Sequence, residues 1–192
     1  MAHARLLQTP SQTVGPFFHQ GLIFGRENVM VDEQTRGERI RITGRVLEGD
    51  GTPIEDAMVE IWQPDASGIF PHPADPNAAR ADPHFRAFGR ADTAAGGRYT
   101  FETVKPGVIA FGSAARGAPY INVRVFARGL LIHAMTRLYF AEEDNGADPV
   151  LRQVPAHRRH TLLARREDDA SGPTYVFDVR LQGDAETVFF DL

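Results

Sequence analysis

The sequence predicts an all-β protein: a single antiparallel β-sandwich with an extended N-terminal arm, long loops and short helical segments. Several short runs alternate apolar and polar residues, which places one face of each run toward a core. Thirteen prolines and eighteen glycines punctuate the 192 residues and leave little room for long helices. Half a dozen or more such runs imply two packed sheets.

Residues 1–18 mix Gln, Thr, Ser and Pro with short apolar pairs. They have no continuous apolar stretch of the kind a signal peptide needs, and read as an extended arm. The division that follows is an arm and connecting segment over 1–38 and a sandwich over 39–192.

Residues 39–46 alternate Arg, Ile, Arg, Ile, Thr, Gly, Arg, Val, and Gly49-Asp50-Gly51-Thr52-Pro53 follows as a turn. A strand entering a hairpin is expected. Residues 57–63 alternate again and stop at Pro64-Asp65. This run contains Trp62, the one tryptophan, which is assigned to core packing on the strength of the strand pattern.

Residues 65–88 form the longest stretch without a clear period, and a loop of that length inside a domain is expected to line a pocket or a partner. Residues 97–101 and 120–126 supply two more alternating strands, and 174–181 and 187–191 two further β-rich runs. Short helices are expected at 149–154 and 157–164, covering sheet edges.

A formal net charge of -4 and a pI near 6.0 offer no basic surface for phosphates, so no nucleic acid is expected as a partner. No stretch has the length of a membrane span. The absence of cysteine excludes a disulfide framework and thiolate metal sites, and points to the cytoplasm. His157-Arg158-Arg159-His160 reads as a charged helix face, because two arginines between the imidazoles would repel a metal ion.

Gly44-Arg45-Val46, a turn, and then Asp56-Ala57-Met58-Val59-Glu60-Ile61-Trp62-Gln63 resemble an element shared by prealbumin-like sandwiches and the intradiol ring-cleavage dioxygenases. Residues 9–18 (TPSQTVGPFF), Thr103-Val104-Lys105-Pro106-Gly107, Thr136-Arg137-Leu138-Tyr139-Phe140 and residues 183–191 (GDAETVFFD) add further strings. Their order and spacing resemble the protocatechuate branch of that family, and its α-type chains in particular.

The resemblance implies a prealbumin-like sandwich and an enzyme that cleaves protocatechuate with O2. In the family's catalytic chains Fe(III) is held by two tyrosines and two histidines. The matching positions here are Asn77, Ile109, Tyr120 and Asn122, so the resemblance implies no metal ligand and no catalytic residue on this chain. Iron would be held by a homologous β subunit in a hetero-oligomer, with protocatechuate and O2 at a shared site. The arm would contact that subunit. Thr13, Gly15, Pro16 and Arg128 match residues that wall the substrate site, where Gly15 admits close backbone approach and Arg128 attracts a carboxylate. Two other readings remain: a non-enzymatic prealbumin-like binding module, and an autonomous homo-oligomeric dioxygenase using Tyr120 with unconventional ligands.

Overall fold

The computed structural model describes residues 7–111, 115–169 and 172–191. Among these residues the strands are β1 (Arg39–Leu47), β2 (Met58–Trp62), β3 (Phe88–Asp92), β4 (Arg98–Val104), β5 (Ala110–Phe111), β6 (Ala115–Arg116), β7 (Tyr120–Phe126), β8 (Ala134–Phe140), β9 (Leu163–Asp169), β10 (Gly172–Val176) and β11 (Val179–Arg180).

One layer runs β4-β1-β10-β9 and the other β3-β2-β7-β8. They join where Tyr139 and Phe140 of β8 pair in parallel with Leu163 and Ala164 of β9. β5 and β6 form a separate two-stranded ribbon. Most pairings are antiparallel, as the alternation predicted. The exceptions include β1, which takes β10 and β11 in parallel register on one side and β4 in antiparallel register on the other.

The core follows from the alternation. Ile40, Ile42 and Val46 of β1 and Tyr99 and Phe101 of β4 meet Val59 and Ile61 of β2 and Ile121, Val123 and Val125 of β7. Each such side chain contributes roughly 1.5–3 kcal/mol by leaving water. Gly44 interrupts the β1 series for a steric reason: a Cβ there would strike the carbonyl of Phe177, which also accepts a hydrogen bond from the buried Tyr99 hydroxyl.

Four local expectations change. The turn after β1 closes only briefly, through the Leu47–Pro53 bridge and the 2.9 Å bond from Ile54 N to Val46 O. The chain then crosses to the other layer, where β2 pairs β3 and β7. The run 174–181 is split between β10 and β11, and residues 187–190 lie along β8 without forming a strand, held by bonds such as Phe190 N to Met135 O at 2.8 Å. β9, with Arg165, Arg166, Glu167 and Asp168 all exposed, had no alternation to reveal it. The short helices, Leu151–Gln153 and Ala156–Leu162, are 3-10 turns.

The segment before β1 is laid into the sandwich. Met30 is fully buried, its N–H bonds Glu102 O at 2.9 Å, and Val29 and Val31 bridge to Glu102 and Phe85.

Candidate functional site

Strand alternation gives the β3-β2-β7-β8 layer an outer face, and the registers set its rows. Phe88, Trp62, Asn122 and Arg137 stand side by side across four strands, with Tyr120 opposite Tyr139 in the next row. A second apolar cluster of Tyr120, Tyr139, Ile109, Leu151, Val154 and Leu162 covers part of this face. Three of the four positions matched to iron ligands, Ile109, Tyr120 and Asn122, therefore lie along this face.

The aperiodic segment 65–88 covers the rest, and it is pinned by buried carboxylates. Asp65 accepts from the Ser67 and Ile69 amides at 2.8 and 3.1 Å through one oxygen, and from the Asp82 amide at 2.9 Å through the other. Asp82 in turn accepts from the Arg36 and His84 amides at 2.7 and 3.0 Å. Burial pushes the Asp82 carboxyl up, but those two amides and the Arg36 guanidinium reverse the shift and hold it below the usual carboxylate range. Gly68, at φ 78°, lets the same loop press on the backbone at Val108, where any side chain would collide.

Two adjoining cavities result, of about 510 and 350 Å³, with Trp62 and His72 in the walls of both. Ile69, Phe70, Asn77 and Ile109 line the larger; Glu60, Phe88, Asn122, Arg124 and Met135 line the smaller. Trp62 stacks on Phe70 with centroids 5.8 Å apart, and His72 meets its edge at 6.2 Å. The assignment of Trp62 to the core is thus half correct. It packs against the core on one side, and it is partly exposed and walls the cleft on the other.

Arg137 dominates the chemistry beneath the cleft. Its guanidinium carbon lies 3.9 Å from the Tyr120 ring centre, and its Nε donates to Asn122 Oδ1 at 3.3 Å. Only 9% of the residue is exposed, and its Nη1 has no hydrogen-bond partner. Burial pushes the Tyr120 phenol up, and the attraction of Arg137 offsets this only in part. Burial does the same to Tyr139, whose hydroxyl donates to Asp148 at 2.9 Å.

This set of side chains does not suit Fe(III). Ile109 has no donor atom, the Asn122 oxygen is engaged by a cation, and the Tyr120 ring lies against a guanidinium that cannot lose its proton. Among the described residues no three His, Asp or Glu side chains are grouped to hold a metal.

Thr13, Gly15, Pro16 and Arg128 lie at the opposite end of β7 from Tyr120. The Gly129 amide donates to Thr13 Oγ1 at 2.7 Å, which fastens the arm beside Arg128, and Arg128 pairs with Asp56. Gly15 accepts from the Phe18 amide at 3.1 Å and has open space where a Cβ would stand. Phe18 packs on Phe126 at 5.6 Å. The structure brings Thr13 and Arg128 together but does not bring them into the Trp62 cleft. Arg137 was not singled out from the sequence. The available signal was the Asn122–Arg137 cross-strand register, which becomes visible only once β7 and β8 are paired.

A family model described as Dioxygenase matches residues 14–183. The chain is 45% identical to the protocatechuate 3,4-dioxygenase alpha chain of Burkholderia cepacia, over 97% of this chain and 98% of that one. It is 33% identical to the beta chain from the same organism, over 90% of this chain and 75% of the relative. Among solved structures, the intradiol ring-cleavage dioxygenase of Tetranychus urticae superposes with a TM-score of 0.61 at 21% identity, covering 90% of this chain and 94% of that one. That structural likeness supports the sandwich fold.

Proposed function

This chain belongs to the intradiol dioxygenase family, and on that premise we propose that it is the α-type chain of a protocatechuate 3,4-dioxygenase. The assembled enzyme cleaves protocatechuate with O2 to 3-carboxy-cis,cis-muconate. Its iron, which activates the bound ring toward O2, belongs to a homologous β chain in a hetero-oligomer. The alpha and beta names of the relatives support the pairing. No helix among the described residues is long and apolar enough to cross a membrane.

The observation that carries the non-metallated reading is the Arg137 guanidinium, seated over Tyr120 and bonded to Asn122 at two of the four matched positions. A fixed positive charge there repels a metal ion.

The contribution of this chain is wall and charge. Thr13 secures the arm, Gly15 presents bare backbone, Pro16 fixes the direction of the chain beside it, and Arg128 offers a guanidinium whose position Asp56 fixes. A bidentate donor held in this way recognises a planar carboxylate and orients it.

Expression of this chain with and without the homologous iron chain tests the reading. Iron and ring-cleaving activity are expected only in the complex. Stoichiometric iron together with activity in the isolated chain would overturn it.

A further inference from the structure

We propose that the cleft floored by Trp62 and Asn122 binds a small planar aromatic carboxylate without chemical change, its ring against Trp62 and its carboxylate on Arg124. The inference rests on side chains of this chain alone and does not depend on where the iron resides.

Charge is the first argument. The registers place Glu60 between Arg90 and Arg124 on the outer face of the sheet. Arg90 takes the carboxylate, its Nε 2.6 Å from Glu60 Oε1. Arg124 is exposed, lines the smaller cavity, and has no carboxylate partner among the described residues. One cation is therefore left over at the cleft.

Arg137 adds a second positive charge beneath the cleft, outside its wall. It stands diagonally across β7 and β8 from Arg124, beside Asn122, and has no carboxylate partner among the described residues either. Two guanidinium groups on neighbouring strands of one face repel each other unless an anion lies within reach of both. By engaging Asn122 Oδ1, Arg137 also leaves the amide N–H groups of Asn122 to face the cavity that this residue lines. The Nδ1 of His72 accepts from the Ala74 amide at 3.1 Å, so a neutral His72 carries its proton on Nε2 and is a further donor.

Shape is the second argument. Trp62, Phe88 and Met135 make apolar walls around these donors, and Trp62 is braced from behind by Phe70. A cavity of about 350 Å³, apolar with a few convergent donors, matches the usual small-molecule site. Flat apolar walls with a cationic end select a ring bearing an anionic group.

Trp62, as the one tryptophan, gives the test its signal. Titration of the full chain with benzoate is expected to change its emission saturably, and benzamide to bind about tenfold more weakly. Arg124→Gln is expected to lower benzoate affinity by about tenfold and to leave benzamide and the thermal unfolding midpoint unchanged. In the complex with the iron chain, calorimetry gives a readout independent of tryptophan emission: one benzoate site per pair weakens about tenfold in Arg124→Gln while ring-cleaving activity persists. No saturable emission change, equal affinity for benzamide, or native benzoate binding by Arg124→Gln would each overturn the proposal.

Discussion

The Arg137 guanidinium lies 3.9 Å from the centre of the Tyr120 ring and donates to Asn122. On the proposed function, a resident cation adds to the shortage of ligands as an obstacle to iron. Replacing Tyr120 and Asn122 with histidine in one variant is expected to leave the chain free of iron by metal analysis, because Arg137 and Ile109 remain. Adding Arg137→Gln and Ile109→Tyr is expected to permit iron uptake, seen as visible phenolate-to-iron absorption. Iron binding by the two-histidine variant alone would show that Arg137 is no obstacle.

Arg128 and Asp56 form an exposed pair beside the arm. In the assembled enzyme, Arg128→Ala is expected to raise KM for protocatechuate about tenfold with iron content unchanged, the loss of one charge-assisted contact. Asp56→Asn frees the guanidinium without removing it, so its effect should be smaller. Steady-state kinetics on both variants checks the order, and an unchanged KM for Arg128→Ala removes that residue from the substrate site.

Gly44 faces a carbonyl, and this has a measurable cost. Gly44→Ala drives a methyl into Phe177 O and disturbs the Tyr99 hydrogen bond, and is expected to lose more than about 3 kcal/mol in urea unfolding. Tyr99→Phe leaves the same carbonyl without its buried donor and should lose about 1–3 kcal/mol. A Gly44→Ala midpoint equal to the native one would refute the close approach.

Asp82 makes stability depend on pH. Its folded pKa lies below the ordinary carboxylate value, so its contribution is present above that value and is lost as pH falls through the folded pKa. Asp82→Asn is expected to be less stable than the native chain at pH 7, with the gap closing in acid below about pH 4. Chemical denaturation at a series of pH values checks this, and a gap that widens in acid contradicts it.

The layers were legible where one face of a strand is buried and the other wet. β1 and β7 show that pattern, and both were found with nearly their full bounds. β9 was not, because its charges are exposed on both sides and backbone pairing to β10 defines it. Residues 187–190 misled for the opposite reason: Thr, Val and two Phe suit a strand, yet they lie on β8 through scattered bonds, including Thr136 Oγ1 to Val188 O at 2.7 Å. The lack of a donor at Ile109 followed from the resemblance, which matched that position to a ligand tyrosine. The cleft could not be read in this way, since Trp62, Asn122 and Arg137 become neighbours only through two strand registers.

β1 has a consequence for how the chain is made. Its antiparallel partner β4 follows at residues 98–104, but the edge that receives β10 and β11 waits for residues far along the chain; the Arg45 amide bonds Asp178 across 133 positions. During synthesis β1 leaves the ribosome long before that edge can be filled. Its unpaired amides and carbonyls are then available to any passing strand. Closure of the sandwich is therefore a late, slow step of high contact order, and yield should fall with crowding of nascent chains rather than with any weakness of the finished core.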